Sequence, residues 1–205
     1  MTLTRVELSG IDGATGSIAT ASINNIKNSA SASNNLVLNS DGTTTLTPSN
    51  IIKSGTTVAS TSGTAIDFTG IPSWVKRITV MFSGVSTNGG SPVLIQLGDS
   101  GGVEISGYTC TSGYTGPGTG SIGSTTGFVW MQNNAASVSD GHAIITKISG
   151  NNWVYSSVVG RTNDNYIMMG GGSKTLSDTL DRVRLTSTNG TDTFDAGSIN
   201  ILYEG

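Results

Sequence analysis

The chain has 205 residues, a formal net charge of −3 and a pI of about 4.9. It holds no cluster of Lys or Arg and no apolar run near the roughly 20 residues of a membrane span, which excludes nucleic-acid binding and membrane insertion through a helix. Charged residues make up 11%, against roughly 25% in an ordinary soluble domain, and Gly reaches 29 residues, so β structure with many turns is favoured over helical bundles.

Residues 1–62 contain no aromatic residue. Within them, the segment LVLNSDGTTTLT predicts a hairpin with Leu36 on one strand, Asp41-Gly42 at the turn and Leu46 on the returning strand. An isolated hairpin is marginal in water, so we expect three copies to pack around an axis. Residues 48–62 are typical of a connector, and residues 1–62 as a whole are predicted to form an extended, fibrous N-terminal region.

Residues 63–205 alternate apolar and polar positions with the period of two that half-buried β-strands require. The inward positions of the predicted strands are Ile78, Val80 and Phe82; Val93, Ile95 and Leu97; Phe128 and Trp130; Val183 and Leu185; and Ile199, Ile201 and Tyr203. A further hairpin is predicted from residues 142–148 and 153–159. Eight or nine short strands with regular turn signals predict an all-β fold, a jelly-roll-like antiparallel β-sandwich.

Three turn or loop predictions accompany these strands. Residues 98–127 are dense in Gly, Ser and Thr and read as a long loop with one short strand near 103–108. Gly170, Gly171 and Gly172 are predicted to interrupt a strand that starts at Tyr166. Asn189-Gly190 predicts a tight hairpin turn between the strand ending near Leu185 and a returning strand at 191–194.

Three segments of the second domain are distinctive in combination: FTGIPSWVKRITVMFSGVS at 68–86, GNNWVY at 150–155 and KTLSDTLDRVRLTSTNGTDTFDAGSINILYE at 174–204. This combination resembles the carboxyl-terminal head of bacteriophage fibre and related virion structural proteins, over roughly residues 63–205. The resemblance implies a homotrimer whose N-terminal region docks on other structural proteins of the virion, while the head points toward the host surface. Its most specific parts are not catalytic signatures, and we expect no cofactor.

Composition agrees with association of identical chains. Aromatic residues make up 6% of the sequence, and the single cysteine, Cys110, has no intramolecular disulfide partner. A chain with so few aromatic and charged residues has little apolar surface to bury within one subunit. We therefore expect it to bury surface against identical chains. The first ten residues lack the apolar core of a signal peptide, which favours folding in the host cytoplasm and a final location in the virion.

Glycan binding is the candidate ligand function, because sugar sites combine an exposed aromatic ring with nearby amides and carboxylates. Tyr108 and Tyr114 fit best, since both fall in the long Gly-rich segment. Their alternative roles are to cap loop ends or to pack between subunits. Trp153 and Tyr155 are also candidates, but their alternating pattern favours the core.

Catalysis is not expected. His142 is the single histidine, no Gly-x-Ser-x-Gly elbow is present, and a surface position on its strand is the preferred interpretation. Two carboxylate pairs could in principle cleave a polysaccharide: Asp99 with Glu104, and Asp192 with Asp195. The second pair flanks a predicted turn, where capping roles are commoner.

A metal site is not expected either. Asn163, Asp164 and Asn165 lack the spacing of a calcium loop and favour a turn. Cys110 is interpreted as an incidental small residue. The leading hypothesis is a non-enzymatic, homotrimeric phage fibre protein, of the tail or the head, whose β-sandwich head attaches to the host surface. The alternative is a decoration, or cement, protein that stabilises the shell or tail without binding a receptor.

Overall fold

The structure, a computed structural model, describes residues 52–131, 134–135 and 137–205, together with three short strands at 26–27, 34–38 and 44–46. The chain divides into two compact units, residues 1–49 and residues 50–205. We call the second unit the head. The prediction of an extended, fibrous N-terminal region stays a prediction.

The first unit contains a three-stranded antiparallel sheet of β1 (Ile26–Lys27), β2 (Asn34–Leu38) and β3 (Thr44–Leu46). Strands β2 and β3 pair with Leu36 opposite Leu46. The two strands of the predicted LVLNSDGTTTLT hairpin are therefore confirmed, and its turn at Asp41-Gly42 lies outside the described residues.

The head consists of two antiparallel sheets packed as a sandwich, which confirms the all-β class and the sandwich. The nine-stranded sheet contains, in spatial order, β11 (Thr119–Ser124), β10 (Tyr108–Thr115), β15 (Tyr166–Thr175), β14 (Asn152–Arg161), β13 (Ser139–Ser149), β7 (Arg77–Thr87), β17 (Phe194–Glu204) and β4 (Ile52–Ser54), with β5 (Val58–Ala59) also on β17. The five-stranded sheet contains β12 (Phe128–Met131), β8 (Val93–Asp99), β16 (Arg182–Ser187) and β6 (Ala65–Thr69), with β9 (Gly102–Val103) on β8.

The alternation in the sequence sets which side chains enter the core. The predicted inward residues are all buried, from Ile78, Val80 and Phe82 on β7 to Ile199, Ile201 and Tyr203 on β17. The head therefore has a continuous hydrophobic core of its own. The expectation that the chain has little to bury alone is wrong for this unit.

Aromatic rings join the two sheets across this core. Phe82 of β7 stacks on Trp130 of β12 with ring centroids 3.8 Å apart, and Tyr155 of β14 stacks on Phe128 of β12 at 4.6 Å. Tyr108 of β10 meets the edge of Phe128 at 5.0 Å. Strand β12 thus anchors one sheet onto three strands of the other, and stacked or edge-on pairs add to simple burial.

The hairpin predicted at Asn189-Gly190 is wrong in its pairing. Gly190 does adopt a positive φ of 68°, as the turn requires. However, the preceding strand β16 lies in the five-stranded sheet, whereas the next strand, β17, starts only at Phe194 and lies in the nine-stranded sheet. The segment between them crosses from one layer to the other, held there by Thr188, whose N–H donates to Pro92 O over 2.8 Å.

The Gly-rich stretch 98–127 is also not the predicted loop. It forms β9, then a six-pair hairpin of β10 and β11. Likewise β15 runs without interruption through Gly170, Gly171 and Gly172, which pair with β10 on one side and β14 on the other. Glycine weakens an isolated strand, but neighbours on both sides and a close-packed inner face favour it here.

Residues assigned to a connector also belong to the head sheet. Strand β4 pairs with Leu202–Glu204 and β5 pairs with Ser198 and Ile199, both on β17. Strand β17 is therefore an interior strand, between β7 and this pair of short strands.

Cys110 has a structural role that composition did not indicate. The Val129 N–H of β12 donates to Cys110 Sγ over 3.3 Å, and Tyr155 Oη donates to Val129 O over 3.0 Å. Both side chains come from the opposite sheet and satisfy polar groups at the inner edge of β12. Burial raises the pKa of the Cys110 thiol, so it stays protonated and unreactive.

Replacement of Cys110 tests this role. We expect Cys110→Ala to lower the free energy of unfolding by about 1–3 kcal/mol, because the buried Val129 N–H loses its acceptor. Cys110→Ser retains an acceptor and should lower the free energy of unfolding by less than Cys110→Ala does. Urea denaturation of both variants measures the difference. Equal losses for the two variants would mean that Sγ contributes packing alone.

Candidate ligand-binding site

Most of the aromatic rings are unavailable to a ligand. The chain has twelve aromatic residues. Nine are buried, among them Tyr108, Trp153 and Tyr155 of the candidate glycan set, which are 2%, 1% and 4% exposed. The loop placement of Tyr108 and Tyr114 is wrong, since both lie on β10. The Tyr108 hydroxyl accepts the Leu97 N–H over 2.6 Å. The core interpretation of Trp153 and Tyr155 is confirmed.

The three half-buried rings are Trp74, Tyr114 and Tyr166. Trp74 packs against Tyr203 with centroids 6.1 Å apart, and Gly205 lies against its ring. Tyr114 and Tyr166 meet edge to face with centroids 5.5 Å apart and an interplanar angle of 77°. Tyr114, predicted from sequence, thus has an aromatic partner from β15 that the sequence analysis missed.

Charged and amide groups adjoin this pair. The Arg161 guanidinium lies 4.6 Å from the centroid of the Tyr166 ring and forms an ion pair with Asp164. Asn165 is exposed and adopts a positive φ of 64°, which Asn tolerates better than most residues. We call Tyr114, Arg161, Asp164, Asn165 and Tyr166 the tyrosine tip.

The turn that carries the tip is fixed by local hydrogen bonds. Asn163 Oδ1 accepts the Val138 N–H over 2.9 Å, and the Thr162 N–H donates to Val138 O over 2.9 Å. Thr162 Oγ1 also donates to Asp140 Oδ2 over 3.0 Å. The interpretation of residues 163–165 as a turn is confirmed, and the turn holds Arg161 and Asp164 in place.

Glycines at alternate positions of the β10–β11 hairpin make room for the two rings. A Cβ on Gly116 would lie 2.8 Å from Tyr166 Cδ1, and one on Gly120 would lie 2.6 Å from Tyr114 Oη. Gly116 lies in the turn of the hairpin and Gly120 on β11, and the missing side chains leave space for the two tyrosine rings. That spacing, in the sequence GPGTG, is the signal that could have located the site.

The tip lies at one end of the nine-stranded sheet. Tyr166 pairs with Arg161, which is opposite Ser139, so the tip is level with the start of β17. The chain enters the head at Ile52, which is opposite Glu204 at the other end of β17. At about 3.3 Å per residue, this places the tip about 25 Å along the strands from the entry point.

The free polar groups of the tip suit a hydroxyl-rich ligand. Within the described part of the chain, the hydroxyls of Tyr114 and Tyr166 have no hydrogen-bond partner, whereas the unpaired Asp164 Oδ1 is buried and out of reach of a ligand. Aromatic faces pack against the C–H groups of a sugar, while amides, carboxylates and phenols bond its hydroxyls. The tip can therefore hold a saccharide.

Asp99 and Glu104, the first carboxylate pair, do lie together. Ser177 Oγ is 2.7 Å from Asp99 Oδ2 and 2.8 Å from Glu104 Oε1, and Glu104 also forms an ion pair with buried Lys174. The Ser177 hydroxyl lowers the pKa of Asp99. Burial is the largest influence on Glu104 and raises its pKa, but bonds from Lys174 and Ser177 outweigh it and leave the pKa lowered.

Neither carboxyl of this pair is suited to be the general acid of a glycosidase, which needs a raised pKa. Both are ionised at neutral pH. Their bonds tie the segments around residues 104 and 177 together, next to the aromatic ring of Tyr108, whose centroid is 5.2 Å from Lys174 Nζ.

Asp192 and Asp195 have structural partners as well. Asp192 accepts hydrogen bonds from Asn189 Nδ2 over 2.6 Å and from the Ser91 N–H over 2.9 Å, which lower its pKa. Asp195 accepts from Ser86 Oγ. His142 is exposed on β13, as predicted. Among the described residues, no three His, Cys, Asp or Glu side chains come together as metal ligands.

Two grooves elsewhere on the head are weaker candidates. One, of about 400 Å³, overlies the five-stranded sheet, but its Arg184 forms a double hydrogen bond with Asp67 and its Gln96 donates to Thr126 O. The other, of about 370 Å³, lies beside β4 and β6, and its two rings, Phe68 and Tyr203, are buried. Neither groove offers an accessible aromatic ring.

Comparison with models of known protein families, with curated proteins and with solved structures finds no match to this chain. The described residues include no helix long and apolar enough to cross a membrane.

Proposed function

We propose that this chain is a non-enzymatic, homotrimeric fibre protein of a bacteriophage virion, of its tail or its head, and that its head attaches to the host surface by binding a saccharide at the tyrosine tip. The N-terminal unit, residues 1–49, attaches the fibre to other structural proteins of the particle. The protein uses no cofactor, nucleic acid or membrane insertion.

One observation carries this proposal. Among the described residues of the head, the one pair of half-buried rings that contact each other, Tyr114 and Tyr166, lies about 25 Å along the sheet from the point where the chain enters the head. A head held at its entry end presents its opposite end outward. The resemblance of residues 68–86, 150–155 and 174–204 to phage fibre heads supplies the biological setting.

The strand pairing supports a jelly-roll-like arrangement. Strand β7 pairs with β17, β8 with β16, β10 with β15, and β13 with β14, so each pair encloses the next along the sequence. Such nesting is what results when one long antiparallel ribbon is rolled into two layers. The loops at one end of the roll are then available for recognition.

The ligand we propose is an uncharged saccharide. Arg161, the cation of the tip, is already paired with Asp164, so the site has no unpaired positive charge to attract an anion. Phenol hydroxyls and the Asn165 amide remain to bond sugar hydroxyls.

The test is binding of the purified full chain to a panel of purified bacterial lipopolysaccharide O-chains and capsular polysaccharides. We expect at least one neutral polysaccharide to bind, and Tyr166→Ala to weaken it at least tenfold, equivalent to about 1.4 kcal/mol. Tyr166→Phe keeps the ring and should bind nearly as well. Trp74→Ala, at the other end of the head, is the matched control.

Circular dichroism of each variant shows that the fold is retained. If the folded Tyr166→Ala variant bound as tightly as the unchanged chain, the tip would not be the site. If no polysaccharide bound, the decoration-protein alternative would be favoured. Release of reducing sugar on incubation would contradict the non-enzymatic assignment.

A further inference from the structure

The outer side of the nine-stranded sheet carries an exposed apolar patch. Val158, Ile167 and Met169 are 53%, 52% and 54% exposed, although each is a large hydrophobic residue. Isolated exposed apolar side chains are normal, whereas adjacent ones indicate a contact surface. We call these three residues the β14–β15 patch.

Strand register makes the patch continuous. Val158 is directly opposite Met169, and Ile167 is opposite Gly160, two residues further along β14. Directly opposed side chains lie about 5 Å apart, so the three form one surface. The glycines beside them, Gly160 and Gly113, leave their sides uncovered.

Most of the surface around the patch carries no charge. Two rows of outward residues cross the sheet at this level. One contains Asn200, Met81, His142, Val158, Met169, Gly113 and Ser121, and the other contains Leu202, Thr79, Ile144, Ser156, Gly171, Thr111 and Gly123. Neither row contains Asp, Glu, Lys or Arg. The row of Ile167 contains one charged residue, Asp140, which lies opposite Gly160 and accepts hydrogen bonds from the Gly84 N–H and Thr162 Oγ1. Arg77 and Glu204 lie toward the other end of the strands.

The lack of charge favours a copy of the same chain as the occupant. A partner with a charged surface would lose hydration without gaining an ion pair, while three identical faces with little charge can converge around a three-fold axis with little repulsion. The available area is also sufficient. Five strands about 4.8 Å apart and ten residues long present about 800 Å², the area that one partner buries in a standard interface.

We infer that the β14–β15 patch and the uncharged rows around it form the contact between copies of this chain. The inference rests on the homotrimer proposed above and names the face that holds it together. The contact leaves the tip free, because Tyr166 and Ile167 are consecutive residues of β15 and point to opposite sides of the sheet.

The inference is tested by measuring how far an introduced thiol in the full chain is protected from labelling. Labelling reports on the patch itself, so the test holds even if the N-terminal region also trimerises. Val158→Cys places one accessible thiol in the patch, and Ile105→Cys places one at an exposed site on the other side of the sandwich. The native Cys110 is buried and serves as the internal background. We expect a neutral maleimide to label Val158→Cys at least tenfold more slowly than Ile105→Cys.

Light scattering of the same samples separates this inference from the proposed function. A mass of about three times 20.9 kDa with slow labelling of Val158→Cys supports both. The same mass with equally fast labelling at both sites overturns the patch and leaves the trimer. A mass of 20.9 kDa for the unchanged chain overturns the trimer and the patch together.

A charged variant provides the second measurement. Val158→Lys with Met169→Lys places like charges on every copy of the face, at positions exposed within one chain. The head should therefore fold, and a Cys at Thr111, on the same face, should become at least tenfold faster to label. Ile105→Lys should have no such effect. Unchanged labelling at Thr111→Cys in the double variant would overturn the inference.

Discussion

A chain that lacks residues 199–205 is expected to be insoluble or unfolded. These residues form most of β17, which lies between β7 and the short strands β4 and β5. Their loss removes the buried side chains of Ile199, Ile201 and Tyr203 and exposes the edge of β7. At about 1.5–3 kcal/mol for each buried side chain, the loss approaches the whole stability of a typical domain.

Point variants within the strand separate burial from a general effect of truncation. Ile201 faces the core and is 2% exposed, whereas Leu202, its neighbour, faces outward and is half-buried. We expect Ile201→Ala to lower the free energy of unfolding by about 2–5 kcal/mol and Leu202→Ala to lower it by about 1 kcal/mol or less. Solubility and near-ultraviolet circular dichroism of the truncated chain, with urea denaturation of the point variants, measure these effects. A soluble truncated chain with native tertiary signals would contradict the interior position of β17.

The inward faces of the strands could be predicted from sequence because period-two alternation is a local property. Once one face of a strand is buried, its apolar residues must occur at every second position, as at Val183 and Leu185. Which strands pair is a different question, and local pattern does not answer it. Asn189-Gly190 reverses the chain, but the reversed chain enters the other sheet.

The error at that turn has an identifiable physical cause. The connection from β16 to β17 spans residues 188–193, too long for a two-residue hairpin. Asn88 and Thr193 exchange two hydrogen bonds there, with the Asn88 N–H donating to Thr193 O over 2.9 Å and the Thr193 N–H to Asn88 Oδ1 over 2.8 Å. These contacts hold the connection next to β7, where β17 begins. Asn88 is about a hundred residues away in sequence, so no local pattern reports them.

The candidate site could be predicted only in part for a similar reason. Tyr114 is identifiable as an aromatic residue in a polar, Gly-rich segment. Tyr166 and Arg161 come from β15 and β14, and only the pairing of β10 with β15 brings them to Tyr114. Glycine-rich sequence predicts a loop, whereas Tyr108 and Tyr114 lie on strand β10. At several positions of this sheet, such as Gly172, glycine marks close approach of neighbouring groups.

The three glycines of β15 allow that interpretation of glycine to be tested with a matched pair. A Cβ on Gly172 would lie 2.4 Å from Thr109 O and 3.1 Å from Cys110 Cα, which are backbone atoms of β10. A Cβ on Gly171, which faces outward, would meet nothing closer than Tyr155 O at 3.9 Å. The same substitution at adjacent positions therefore meets opposite environments.

We expect Gly172→Ala to lower the free energy of unfolding by about 3 kcal/mol, since backbone atoms cannot move aside without breaking the β10–β15 pairing. Gly171→Ala should be neutral or stabilising by up to about 1 kcal/mol, because alanine restricts the unfolded chain more than glycine does. Urea denaturation midpoints of the two variants give both values. Equal effects would mean that β10 and β15 are not held close enough for a Cβ on Gly172 to meet Thr109 O. The tip would then lose its support too, because Tyr114 and Tyr166 are brought together by that same pairing.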